Sequence, residues 1–169
     1  GDQELHLSTA ELVQFFLMVQ AVAFIGALVF GALADRWGNR NTVLATLGIW
    51  SLVAIWGWQL GWFGDPVGEY WMLGALAGTV LGGSQAASRS LQAMLIPPEK
   101  SAEFFSFFAI SGKFASAVGP AIFGIAVWIT GSLRLGMLSL LIFFLAGARL
   151  LWTVKESRGR EEALAFDAE

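Results

Sequence analysis

The sequence predicts an all-α polytopic membrane protein of about five transmembrane helices. Three observations predict it. First, 56% of the 169 residues are hydrophobic and only 14% are charged, whereas an ordinary soluble domain carries ~25% charge. Second, no charge falls between Glu11 and Asp35, between Arg40 and Asp65, or between Glu69 and Arg89. Each gap is close to the ~20 residues that a helix needs to cross ~30 Å of hydrocarbon. Third, the residues between the runs are turn chemistry: a glycine-hinged charged stretch around Gly38, then Asp65-Pro66, Pro97-Pro98 and Thr130-Gly131-Ser132. Bilayer-length runs in such succession argue against the buried helices of a soluble core.

The elements follow in order. Residues 1–10 form a polar lead and residues 11–154 the transmembrane bundle, with spans over residues 11–34, 42–60, 70–95, 101–129 and 135–154. Ser8 and Glu11 stand three apart, a capping box that satisfies orphan N–H groups where the first helix begins. The second span ends in a short outer loop with Asp65, Pro66 and Glu69. Pro97-Pro98 stops the third, because proline cannot continue a helix. Pro120 after Gly119 predicts a kink in the fourth. Residues 155–169 form a polar tail of mixed charge, expected to be solvated on the cytoplasmic side.

Basic residues orient the bundle. Arg36, Arg40, Lys100, Lys155, Arg158 and Arg160 fall on one side, and only Arg134 lies in a loop on the other. The positive-inside rule puts the first side in the cytoplasm, so the N-terminus is outside and the C-terminus inside. Trp56, Trp58, Trp62, Trp71 and Trp128 fall near the outer interface, and Trp37 and Trp152 near the inner one. Trp50, near mid-span, has lipid, a neighbour or a cavity as its options.

Composition also excludes function classes. Cysteine is absent, so there is no disulfide framework and no thiolate metal site. The one histidine, His6, lies in the polar lead and reads as a solvated residue. A net charge of −3 with scattered bases carries no nucleic-acid footprint. With no paired carboxylates, no P-loop and no nucleophile–base set, an enzyme is not expected, nor a metal or cofactor. The expected surroundings are a lipid bilayer and a small-molecule substrate.

In lipid, helices associate by close backbone approach, so small residues four apart mark contact faces. The first span carries Ala23, Ala27 and Gly31; the third carries Gly74, Gly78, Gly82, Ala86 and Ser90; the fourth carries Gly112, Ser116, Pro120 and Gly124. Two polar stripes interrupt the apolar runs. Ser106, Lys113, Ser116, Ala117 and Pro120 share one face of the fourth span at ~100° per residue. Lys113 is near the bilayer middle, where a lysine costs ~2.5–3.5 kcal/mol unless it faces protein or water. The third span places Gln85, Arg89 and Gln92 in line with Gly78 and Gly82. The two stripes are expected to pack together and line a water-accessible path, with Lys113, Arg89, Gln85 and Ser116 as cavity candidates. Bland readings stand beside these: Arg89 is close enough to the inner end to snorkel, as is Arg149, and Lys113 has Glu103 as a potential ion-pair partner.

The stretch Gly31-Ala32-Leu33-Ala34-Asp35-Arg36-Trp37-Gly38-Asn39-Arg40 has the pattern G-x-L-x-D-R-x-G-x-R. It resembles the signature loop of the major facilitator superfamily of secondary transporters, and Gly119-Pro120-x-x-x-Gly124 is similar to a Gly-Pro motif of that superfamily. A narrower resemblance rests on Gly82-Gly83-Ser84-Gln85-Ala86-Ala87-Ser88-Arg89-Ser90, Ile96-Pro97, Ala102-Glu103-Phe104-Phe105, Ser111-Gly112-Lys113-Phe114 and Phe123-Gly124. Together these look like the autophagy-related vacuolar effluxer branch and its bacterial relatives. That resemblance implies a twelve-span fold of two six-helix halves, in which fungal members export amino acids from the vacuole. Aligned so, the five spans correspond to the eighth through twelfth helices, part of one six-helix half.

On that resemblance the expected function is a fragment of a secondary-active, alternating-access transporter of amino acids or similar small polar solutes. The missing N-terminal half of the same transporter, or a partner chain, would complete the cavity, because such sites lie between halves at mid-membrane. A bacterial cytoplasmic membrane is the expected location, with a vacuolar membrane as the alternative. Gly31, Asp35, Arg36, Gly38 and Arg40 are the gating-loop candidates. Asp35 is expected either at the N-terminus of the fourth span, where the helix dipole favours an anion, or paired with Arg89. The rival reading is a small helical membrane subunit that assembles with a partner through its glycine faces and transports nothing itself.

Overall fold

A computed structural model describes residues 7–156 together with Glu161 and Ala163. Among the described residues the fold is helical throughout. α1 spans Thr9–Trp37, α2 Asn39–Trp58, α3 Pro66–Leu95, α4 Ser101–Thr130, α5 Leu133–Ser139 and α6 Leu141–Thr153, with a 3₁₀ turn at Pro98–Lys100 before α4. His6, Arg158 and Arg160 lie outside the described residues.

The helix ends follow from local chemistry. The capping box at α1 is formed: the Glu11 carboxylate accepts from the Ser8 backbone N–H at 2.8 Å, while the Ser8 hydroxyl accepts from the Glu11 N–H. α1 and α2 are separated by the single residue Gly38, whose φ of 84° is open to glycine and strained for a residue with a Cβ. Asp65 caps α3 by accepting from the Gly68 N–H at 3.0 Å, with Pro66 in the first turn where a missing N–H costs nothing. α3 therefore begins at Pro66, four residues ahead of the sequence boundary. Gly131, at φ 66°, ends α4.

The last span departs from expectation. It is not one helix from residue 135 but two, α5 and α6, divided at Leu140. The Ser139 hydroxyl donates to the Gly136 carbonyl at 2.6 Å, and the Leu140 N–H turns to Leu138 and Met137. A serine bonding back onto its own helix competes with the regular ladder and bends it.

Four segments are long and apolar enough to cross a membrane: α1, α2, α4 and the α5–α6 pair. α3 is long enough at 30 residues, but its glycines, serines and glutamines keep it off that list. This least apolar helix is also the central one. α3 packs along α1 and against α2, and α2 in turn packs against α5 and α6. Buried Val43, Ala87 and Leu91 form a small core with Leu47, Leu95 and Leu151 around them. Large apolar side chains such as Phe24, Leu28, Trp62 and Trp128 point outward, as they do when hydrocarbon is the solvent. Trp50 finds a neighbour, stacking on Phe144 at 5.8 Å between centroids.

The α1–α3 contact is a backbone seam. A Cβ on Gly78 would lie 2.7 Å from the Val19 carbonyl oxygen, one on Gly82 would run into the Ala23 backbone, and one on Gly26 into the Thr79 backbone. Gly74 lies under the Phe15 ring and Gly83 under Phe30. Gly31, by contrast, has open space around it, so the first helix uses Gly26 rather than Gly31 at this seam. α4 also differs from expectation. It buries no residue and rests on α5 and the 3₁₀ turn, and added methyls at Gly112, Gly119 and Gly124 would meet nothing. Its Gly119, Pro120 and Gly124 face is thus unengaged among the described residues, and the helix runs on through Pro120.

Candidate functional site

The seam creates a groove. Because α1 and α3 approach on small residues, longer side chains beside the contact stand on either side of a shallow trough. A cavity of about 360 Å³ opens there, floored by Ala23, Ala27, Gly82 and Ala86 and walled by Leu81, Gln20, Gln85 and Arg89. Gln85 and Arg89 are one turn apart on α3, ~6 Å along its axis. Gln20 comes from the middle of α1. None of the three polar side chains has a hydrogen bond or ion pair among the described residues. All three are exposed, and an unpaired arginine held in hydrocarbon would cost ~2.5–3.5 kcal/mol. Gln92, on the same helix, is outside the cavity lining, with its side-chain oxygen buried and unpaired.

Lys113 stands elsewhere. α4 makes no extended contact with α3, so the two polar stripes that the sequence sets side by side are not brought together. The reason is that α4's small residues find no opposing backbone within the described chain. Lys113 is exposed and unpaired among the described residues, and it forms no ion pair with Glu103, also exposed. The hydroxyls of Ser106 and Ser116 donate to their own helix, at the carbonyls of Ala102 and Lys113.

The gating loop is also held differently from expectation. Asp35 and Arg36 are exposed. Asp35 reaches neither the N-terminus of α4 nor Arg89 and has no partner among the described residues. The loop instead binds the end of α6. The Arg40 guanidinium donates to the Leu151 carbonyl at 3.1 Å and to the Trp152 carbonyl, with its carbon 5.9 Å from the Trp152 ring centroid. In return Glu156 accepts from the Asn39 and Arg40 backbone N–H groups at 3.3 and 3.2 Å. A cation thus binds the carbonyl end of one helix, and an anion the N–H end of the other.

Glu69 does similar work at the opposite end of α2 and α3. It is buried, yet its carboxylate accepts from the Gly61 N–H at 2.9 Å, the Phe63 N–H at 2.8 Å and the Trp56 indole at 3.4 Å. Gln20, Glu69 and Glu156 are the residues that sequence reasoning missed. Gln20 had a legible signal, a carboxamide deep in a charge-free run; the two glutamates had none, because their partners are backbone groups brought near by folding.

The profile of the vacuole effluxer Atg22-like family matches residues 1–164. This chain belongs to that family. It is 31% identical over 153 residues to the MFS-type transporter YxiO of Bacillus subtilis, covering 90% of this chain and 35% of that protein. It is 31% identical over 175 residues to autophagy-related protein 22-2 of Emericella nidulans, covering 96% of this chain and 29% of the relative. Autophagy-related protein 22 of Saccharomyces cerevisiae is 31% identical over 169 residues, covering 95% and 32%. The chain therefore spans about a third of the length of these curated relatives. No solved structure matches it. Membership places this all-helical membrane chain in the effluxer branch of the major facilitator superfamily.

Proposed function

We propose that this chain forms one wall of a secondary-active transporter that exports amino acids or similar small polar solutes by alternating access. The observation that carries the reading is the α1–α3 groove, where Gln20, Gln85 and Arg89 stand exposed and unpaired among the described residues on helices that otherwise present many large apolar side chains outward. Family membership and the similarity to an MFS-type transporter support transport as the activity. The rest of the polypeptide of a full-length transporter supplies the facing wall, and Lys113 on α4 faces that wall with Ser116. In this reading the clamp of Arg40 and Glu156 lies on the cytoplasmic side, with the Glu69 staple outside.

The test uses the full-length protein in liposomes, with flux measured over a panel of amino acids and small carboxylates. Lys113→Met and Asp35→Asn are expected to lower transport while insertion and expression stay at wild-type levels. Wild-type liposomes that move no solute would sink the reading, and unaltered affinity, rate and pH dependence in Lys113→Met would remove that residue from it.

A further inference from the structure

The lining of the groove has a charge sense and a direction, and both bear on which solute it takes. It contains one cation, Arg89, two neutral carboxamides, Gln20 and Gln85, and no carboxylate. Contacts along the seam pair Phe15 with Gly74, Val19 with Gly78 and Ala23 with Gly82, so α1 and α3 run parallel in register. Gln20 therefore lies nearly three turns from Arg89 along the seam, roughly 15 Å between backbone levels. Side chains on a helix lean toward its N-terminus. The Arg89 and Gln20 side chains lean the same way on parallel helices, so the separation stays near ~15 Å and only a solute with hydrogen-bonding groups at both ends can span it. The floor between them is alanine and glycine, which leaves room for a solute body and offers it no hydrogen bond.

We propose that Gln20 is a specificity-determining residue of this groove. Arg89 takes the carboxylate of a zwitterionic or anionic solute, and Gln20 with Gln85 takes a second, uncharged hydrogen-bonding group at the solute's far end. A guanidinium matches a carboxylate with two parallel N–H donors. A carboxamide offers one acceptor and two donors, so it pairs with an amide or hydroxyl without demanding a charge. A solute lacking that second group leaves Gln20 unpaired, and one with a cationic far end meets a lining with no acid to receive it. The proposal rests on the transporter reading above and adds to it a residue and a selectivity.

Two measurements on the full-length protein test it. This chain has no cysteine, so single cysteines can be placed at Gln20, Gln85 and the outward-facing Val29, after replacement of any cysteine elsewhere in the polypeptide. An anionic, membrane-impermeant methanethiosulfonate reagent should modify Gln20→Cys and Gln85→Cys at least tenfold faster than Val29→Cys, because only an ionised, water-wetted thiol reacts. Adding Arg89→Gln should slow that anionic reagent at Gln20→Cys more than it slows a cationic one. In liposome flux, Gln20→Met should raise KM for glutamine about tenfold and for leucine less than twofold, with kcat changed little for either. Wild type should prefer both over lysine. If wild type carries solutes but Gln20→Cys is as inert as Val29→Cys, or Gln20→Met treats glutamine and leucine alike, the Gln20 assignment is wrong and the transporter reading stands. If wild type carries none of the three, both fall together.

Discussion

The same substitution at two glycines of α1 should move stability in opposite directions. Alanine is favoured over glycine within a helix by ~0.8–1.0 kcal/mol, and at Gly31 nothing lies within 4 Å of the added methyl. Gly31→Ala should therefore be neutral or stabilising by up to ~1 kcal/mol. At Gly26 the methyl would stand 2.7 Å from both the Thr79 carbonyl carbon and its Cα, where carbon pairs settle at ~3.5–4.0 Å. Those atoms are backbone, so no side chain can turn aside and α3 must retreat by about 1 Å. Retreat loosens the whole seam, including Gly78 on Val19 and Gly82 on Ala23. Overpacking of this kind costs ~1–3 kcal/mol against the propensity gain. The propensity gain is common to both, so the two variants should differ by the overpacking alone, roughly 1–3 kcal/mol, which is about five- to a hundredfold in the folding equilibrium. Thermal unfolding of the full-length protein in detergent, followed by tryptophan fluorescence, reads this directly. Gly26→Ala should melt several degrees below wild type and Gly31→Ala at or above it; the reverse order would refute the seam.

Two further outcomes follow from helix-end chemistry. Glu69→Gln leaves one acceptor oxygen for three N–H donors, so the loop at residues 59–65 should open to limited proteolysis, with a loss of ~1–3 kcal/mol; equal protease resistance would show that the staple is idle. Arg40→Lys keeps the charge but cannot span the Leu151 and Trp152 carbonyls while lying on the ring, so it should lose most of the stability that Arg40→Ala loses, ~1 kcal/mol in all. Full rescue by lysine in thermal melts would reduce the clamp to simple charge attraction.

Much of the fold was legible because the bilayer constrains backbone polar groups so severely. Charge-free runs of bilayer length must be helices, and the Ser8–Glu11 box signals its own cap, whereas Asp65-Pro66, read as loop, proved to start α3. Contact faces were legible only in part. Glycines four apart mark where a backbone can come close, yet Gly74, Gly78 and Gly82 meet α1 while Gly112, Gly119 and Gly124 meet nothing in the described chain. Spacing states that a face is available and leaves open which neighbour takes it.

The local sequence alone determined that this is a helical membrane chain with a charged glycine hinge and a polar stripe on its third span. Its residues also carry a resemblance to the effluxer branch that the family match bears out. Only the tertiary structure decided what lies together: Arg40 with the end of α6, Glu156 with the start of α2, Glu69 with the loop between α2 and α3, and Gln20 and Arg89 along one trough. The physical reason is range. Hydrophobic length, caps and turns act over a few residues and are written in composition, whereas these pairings join groups far apart in the chain whose partners are mostly backbone atoms and have no letter in the sequence.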